Sequence, residues 1–139
     1  MHSSRHLLRG KDTPMPHSRN VIVEAALRWL AVVLWMGVIF ALSATPSLRS
    51  PFEPFFDLIL RKLAHIGEYG VLTAFLFSAL RIHTRASHAL LIAIFVAVSY
   101  ALSDEWHQTF VPGREGSLGD VGIDALGLLG VSLWLSRSE

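Results

Sequence analysis

The residues of this chain best suited to chemistry lie in two short polar segments. The first holds Lys62, His65 and Tyr69, and the second begins with Asp104 and Glu105. The polar residues that complete the second segment are Gln108, Arg114, Asp120 and Asp124. A histidine titrates near neutral pH, and a neighbouring carboxylate can orient it or act as its partner acid. The residue types therefore predict general acid/base chemistry or the binding of a charged ligand.

Long apolar runs flank both segments and must position them. The chain has 139 residues, of which 52% are hydrophobic and 17% are charged, and it contains no cysteine. A soluble domain carries about 25% charged residues, so this composition favours a membrane protein. The net charge of +1 argues against a nucleic-acid partner. Without cysteine, the chain can form neither disulfides nor thiol-based sites.

Four segments are long and apolar enough to cross a bilayer as helices. About 20 helical residues cross a hydrocarbon core of about 30 Å. The predicted spans are about 21–44, 58–80, 86–107 and 120–136. The sequence therefore predicts an all-α, four-helix transmembrane bundle over residues 21–137, preceded by a disordered basic tail over residues 1–20.

Two other structural interpretations remain open for these apolar runs. A soluble four-helix bundle would need a polar face on each helix, whereas Leu30–Leu42 and Leu90–Ala101 are apolar all round. Alternatively, the first span is a cleaved signal peptide, because Ala41-Leu42-Ser43 resembles a small-residue cleavage site. The long basic segment before the first apolar run argues against cleavage.

The distribution of basic residues predicts the orientation of the bundle. Four spans place both termini on one side of the membrane, and eight of the basic residues fall on that side. The other side has four, which are Arg49, Arg61, Lys62 and Arg114. The positive-inside rule then places both termini in the cytoplasm. We expect a multi-pass protein of the (inner) cell membrane, with its polar site on the extracytoplasmic side.

Helical spacing gathers the polar residues at that end of the bundle. Residues three or four positions apart share a helix face, and three polar sets have this spacing. They are Lys62, His65 and Tyr69, then Asp104 and Gln108, then Asp120 and Asp124. Buried charges need partners, so we expect Lys62 and Arg114 to face the carboxylates of Asp104, Asp120 or Asp124.

Candidate roles follow from the chemistry of each side chain. We predict His65 as the general acid or base, with Asp104 and Asp120 completing the catalytic set. The predicted substrate-binding residues are Lys62, Tyr69, Glu105, Gln108, Arg114 and Asp124. Lysine and arginine suit a phosphate group, so a membrane lipid or a lipid-linked cell-wall precursor is the expected ligand.

Several of these residues also have a plainer structural interpretation. His65 could be a helix-packing histidine, and Arg114 could do no more than neutralise an aspartate. Lys62 could extend to the membrane interface, and Glu105 could be a solvated loop charge. The four tryptophans are expected to anchor the helices at the membrane interfaces; they are Trp29, Trp35, Trp106 and Trp134.

Neither a cofactor nor a metal is predicted. The donors of His65, Asp104, Glu105 and Asp120 could provide oxygen-rich coordination for a divalent ion. However, no second histidine lies at ligand spacing on the same helix, and no HExxH motif is present.

Two motifs resemble those of the VanZ-like family of small integral membrane proteins. The first is KLAHIGEYGVL at Lys62–Leu72, and the second is DEWHQTFVPGREGSLGD at Asp104–Asp120. The resemblance extends to about Gly130 and implies a small multi-span membrane protein. The family's namesake is associated with teicoplanin resistance. The chain departs from the family at Asp124, where the family commonly has asparagine.

Three functions remain open for such a protein. The first is binding, with or without modification, of an envelope lipid or a lipid-linked cell-wall precursor. The second is a non-catalytic envelope protein whose polar cluster stabilises the bundle or binds a partner. The third is proton or ion transport, which we rank lowest because the polar residues lie at one end of the spans. No pattern in the sequence fixes the oligomeric state.

Overall fold

In a computed structural model, the chain forms four helices within the described residues, which are 16–45, 54–114, 116 and 118–137. The helices are α1 (Pro16–Ser43), α2 (Pro54–Leu80), α3 (Ala86–Gln108) and α4 (Leu118–Arg137). Each contains a segment long and apolar enough to cross a membrane; these are Asn20–Ser43, Ile59–Leu80, Ala86–Gln108 and Gly119–Arg137. The prediction of an all-α bundle with four candidate spans is confirmed.

Two sequence predictions lie wholly or partly outside the described residues. The predicted basic tail covers residues 1–20, of which 1–15 are not described, and α1 begins at Pro16. Disorder of the tail therefore stays a prediction. The placement of both termini in the cytoplasm also stays a prediction, because it depends on the charge distribution alone.

Helix α3 packs inward through its small residues and presents its large ones outward. Every fourth residue from Ala89 to Ala101 is a fully buried alanine. In contrast, Leu91 and Phe95 are exposed on the opposite face. Small inward residues let neighbouring backbones approach closely, and large outward residues suit contact with lipid chains. This pattern is expected of a helix in a membrane and not of one in a soluble bundle.

Helix α2 is the centre of the bundle and contacts each of the other three helices. Its closest approach is to α4, at two glycines. A side chain on Gly127 of α4 would overlap the backbone carbonyl of Ile66 on α2. On the α2 side, a Cβ on Gly70 would lie 3.2 Å from a methyl carbon of Val131. The absence of side chains here lets the two helices pack backbone to backbone.

Helix α1 is attached by side-chain hydrogen bonds to the backbones of its neighbours. The indole nitrogen of Trp35 donates to the carbonyl of Glu68 on α2 at 2.9 Å. The hydroxyl of Tyr100 on α3 donates to the carbonyl of Met36 at 2.7 Å. The prediction that Trp35 anchors α1 at the interface is therefore wrong, because the ring packs between helices against Phe75.

A tight turn follows α3 and returns the chain towards the end of α1. The amide of Arg114 donates to the carbonyl of Val111 at 3.1 Å, and Gly113 has a φ of 78°. These features define a type II turn with Pro112 and Gly113 at its centre. The turn predicted from the Pro-Gly pair is confirmed, and it positions the Arg114 side chain.

Candidate functional site

The buried stripe of α3 changes from alanine to polar residues in its last two turns. Asp104, Glu105 and Gln108 are all buried. One oxygen of Asp104, Oδ2, accepts hydrogen bonds from the Ser43 hydroxyl at 2.7 Å and from the Gln108 amide at 3.0 Å. The shared helix face predicted for Asp104 and Gln108 is thus confirmed by their hydrogen bond, and Ser43 extends the network to the end of α1.

Arg114 completes this network from the turn. Its guanidinium donates to the carbonyls of Leu42 at 2.8 Å and Thr45 at 3.0 Å, and to the Gln108 side-chain oxygen at 3.3 Å. Burial lowers the pKa of Arg114 from its ordinary value, and the positive charge of Arg61 adds to this effect. A cation at the last carbonyls of a helix is favourable because it complements the helix dipole. Arg114 therefore attaches to the end of α1, and Gln108 connects it to Asp104, one of the three aspartates that the sequence predicted it to face.

A second group of polar side chains, the acid–histidine cluster, consists of His65, Glu105 and Asp124 from α2, α3 and α4. One donor atom from each residue lies within 4.8 Å of the other two. Nδ1 of His65 and Oδ1 of Asp124 are 3.5 Å apart, which permits an ion pair. Asp124 is only 1% exposed and Glu105 only 4%. The interpretation of Glu105 as a solvated loop charge is wrong, because the residue lies inside the bundle on α3.

Some of the polar atoms in and beside this cluster have no hydrogen-bond partner among the described residues. They include both carboxylate oxygens of Asp124, Oδ1 of Asp104 and the hydroxyl of Tyr69. Tyr69 is completely buried, and its ring lies beside that of His65. An unpaired polar group buried in an apolar interior is costly, so a cluster of them is typical of a functional site.

The pair of Lys62 and Asp120 forms the edge of the polar end. Nζ of Lys62 donates to Oδ1 of Asp120 at 2.6 Å, and each side chain is a little over one-third exposed. The predicted pairing of Lys62 with an aspartate is therefore present. The aspartate beside His65 is Asp124, one turn further along α4. The catalytic roles predicted for His65, Asp104 and Asp120 stay predictions.

Two features that the sequence interpretation missed have a signal in the sequence. They are the burial of Glu105 on α3 and the inward position of Asp124 on α4. The alanines of α3 recur at intervals of four, and the next position in that series after Ala101 is Glu105. On α4 the buried residues Asp124, Leu128 and Ser132 also recur at intervals of four, and this series marks the inward face. No comparable pattern indicated Ser43, which is simply the last residue of an apolar helix.

Comparison with known proteins gives one finding. A family model described as VanZ/LLP1 matches residues 28–136, a range that contains both motifs and the entire polar end. No significant match was found among curated proteins or among solved structures.

Proposed function

We propose that this chain, which belongs to the VanZ/LLP1 family, binds the phosphate-bearing headgroup of an envelope lipid or of a lipid-linked cell-wall precursor. The observation that carries the proposal is the acid–histidine cluster with its unpaired neighbours, buried at one end of four candidate spans. Ionisable groups in such a position are costly, and they usually mark a substrate or ion site.

The location of the cluster suits a ligand that is partly polar and partly apolar. The cluster lies near the start of α2 and α4 and at the end of α3, so a lipid chain could lie along the bundle while its headgroup enters. The His65 side chain keeps 13% of its surface exposed, beside the half-exposed pair of Lys62 and Asp120. This edge supplies charged groups of both signs for a headgroup.

A second candidate function, a polar cluster that only stabilises the bundle, is favoured by the hydrogen bonds around Asp104. Ser43, Gln108 and Arg114 link that carboxylate to the end of α1, as expected of a structural network. This network gives a structural role to the polar side chains around Asp104. It leaves the unpaired oxygens of Asp124 and the hydroxyl of Tyr69 without a structural role.

Native mass spectrometry of the purified full chain tests the proposal. The protein is offered a phospholipid in one arm and a polyprenyl phosphate in the other, which distinguishes the two sources of the phosphate. We expect one arm to give saturable binding that Glu105→Gln weakens at least tenfold. Glu24→Gln is the matched control, because this carboxylate lies near the other end of α1. Equal binding by both variants in both arms would contradict the proposal.

We also propose that the polar end faces away from the cytoplasm of the cell, as the basic-residue distribution suggests. The chain has no cysteine, so single-cysteine labelling has no background. Phe110 in the turn after α3 and His83 between α2 and α3 are both exposed. We expect a membrane-impermeant maleimide to label Phe110→Cys in intact cells and His83→Cys only after lysis. The reverse pattern would overturn this orientation.

The family's association with teicoplanin motivates a test in cells. We propose that expression of this chain raises the teicoplanin concentration that a susceptible host tolerates. Glu105→Gln should lose this effect if headgroup binding is responsible, whereas Glu24→Gln should keep it. An unchanged tolerance on expression of the native chain, at a verified level in the membrane, would count against this part of the proposal.

A further inference from the structure

The three members of the acid–histidine cluster are donors of the kind that bind metal ions. Imidazole nitrogen and carboxylate oxygen are ligands of Zn²⁺, and carboxylates also suit Mn²⁺. His65, Glu105 and Asp124 come from three different helices, and their donor atoms lie within 4.8 Å of one another. Because the helices pack directly on one another, the positions of the three donors are set by the fold.

The distance between His65 and Asp124 fits two ligands of one ion better than it fits a hydrogen bond. Zinc holds nitrogen and oxygen ligands at about 2.0–2.2 Å in a tetrahedron, which places adjacent ligand atoms about 3.4 Å apart. The Nδ1 to Oδ1 distance is 3.5 Å. A hydrogen bond between such atoms would be about 2.7–3.0 Å.

Unpaired polar atoms next to the cluster are a second and independent observation. Asp124 is 1% exposed, and within the described residues neither of its oxygens accepts a hydrogen bond. The hydroxyl of Tyr69, which is fully buried beside His65, also has no partner there. The Asp124 oxygens therefore have coordination capacity to spare.

Two basic side chains at the polar end have other contacts. Lys62 pairs with Asp120 at the edge of the site, and Arg114 donates to Gln108 and to the carbonyls that end α1. The acidic residues Asp104, Glu105 and Asp124 are all buried. Buried carboxylates require a compensating positive charge, or they must take up protons. For Asp124 that charge comes from a protonated His65 or from an ion that both residues bind.

We propose that His65, Glu105 and Asp124 bind a divalent transition-metal ion, with zinc as the best match to the donor set. Three protein ligands leave the fourth position of a tetrahedral ion open. A phosphate oxygen of the headgroup occupies that position; this last step rests on the proposed function, whereas the metal site rests on the geometry alone.

The test measures metal on the full chain in detergent, purified with a tag that contains no histidine. The protein is equilibrated with Zn²⁺ or Mn²⁺, desalted and analysed by mass spectrometry of its metal content, and the affinity is measured against a chelating dye. We expect about one ion per chain. His65→Gln and Asp124→Asn should weaken binding more than about 100-fold, since even an outer-sphere partner contributes 10–100-fold.

Matched variants at other positions control for surface binding. His88→Gln removes an exposed histidine of α3, and Glu24→Gln removes an exposed carboxylate of α1. Both controls should bind metal as the native chain does. The proposal is overturned if the native chain holds well under one ion, or if His65→Gln binds as tightly as His88→Gln.

A measurement on the native chain guards against loss of folding in the variants. Co²⁺ in place of zinc should give the intense visible absorption of a four-coordinate ion with nitrogen and oxygen ligands. A weak spectrum of six-coordinate, hydrated Co²⁺ would overturn the site. Because no lipid is present in these experiments, a failure to bind metal is distinguishable from a failure to bind a headgroup.

Discussion

The two ends of the bundle differ in how exposed their charged side chains are and in whether those side chains are hydrogen-bonded. At one end, Arg28 pairs with Glu24 on the same helix and donates to the carbonyl of Ser78 at 2.7 Å, linking α1 to α2. Both side chains of the ion pair are more than one-third exposed. At the other end, Asp124 is buried, and no hydrogen bond reaches its carboxylate from the described residues.

This difference separates charges that hold the bundle together from charges that can act on a ligand. At the Arg28 end, the guanidinium contacts the Glu24 carboxylate and the Ser78 carbonyl at the protein surface, so these three groups are satisfied. The acid–histidine cluster keeps buried donor and acceptor atoms unsatisfied, which costs stability. Proteins retain such a cost at sites that bind or react. The polar end also contains its own structural network around Asp104, so both kinds of charge lie within a few residues of each other.

The largest expected loss of unfolding free energy comes from separating α2 and α4, which carry two members of the cluster. In Gly127→Ala the new methyl group overlaps the Ile66 carbonyl, and the helices must move apart. We expect a loss of roughly 3 kcal/mol in unfolding free energy, at the upper end of the usual range for overpacking. Unfolding in mixed micelles of detergent and dodecyl sulfate measures it.

Gly130→Ala is the matched control for this substitution. Gly130 lies on the same helix, and a Cβ there meets nothing within 4 Å. Its unfolding free energy should stay within about 0.5 kcal/mol of the native value. If the two variants are equally stable, the close packing of α2 on α4 does not hold the cluster together.

The next largest effect should distinguish the buried acid network from the surface ion pair. Asp104→Ala leaves the Ser43 hydroxyl and the Gln108 amide without their shared acceptor in a buried site. We expect a loss of about 2 kcal/mol, as for other buried groups left unpaired. Glu24→Ala at the opposite end should cost less than about 0.5 kcal/mol, because an exposed pair contributes little. Equal losses would remove the contrast between the two ends.

The smallest expected loss of unfolding free energy concerns Arg114, whose guanidinium contacts the last carbonyls of α1. In Arg114→Lys, a single ammonium replaces a fork that reaches both Leu42 and Thr45. We expect a loss of about 1 kcal/mol, since lysine cannot reproduce the two-pronged contact. Arg85→Lys, at an exposed position, should change the unfolding free energy by less than about 0.5 kcal/mol. A loss in Arg114→Lys no larger than in this control would contradict the capping role.

Spacing within one helix could be predicted from the sequence, and the axial offset between helices could not. The four-residue interval placed Asp104 on the same face as Gln108, and their hydrogen bond is present. Asp120 and Asp124 share a face of α4, so which of them meets His65 depends on how far α4 is shifted along its axis relative to α2. That offset is set where Gly127 packs on the Ile66 carbonyl, a contact between residues 61 positions apart.

The role of Arg114 was beyond sequence reasoning for a different reason. Charge complementarity favours an aspartate as its partner, but the Pro112-Gly113 turn directs the side chain to the carbonyls of α1. Every residue has a backbone carbonyl, so residue types do not indicate which carbonyls contribute to a site. The same holds for Trp35, whose indole nitrogen donates to the carbonyl of Glu68.

The contact between Arg114 and the end of α1 has a consequence for biosynthesis. Arg114 follows Leu42 by 72 positions in the chain. At about 5–20 residues per second, a ribosome needs roughly 4–14 seconds to synthesise that stretch. Helix α1 is therefore synthesised well before Arg114. The contact of Arg114 with the end of α1 can form only after the loop between α3 and α4 has been made.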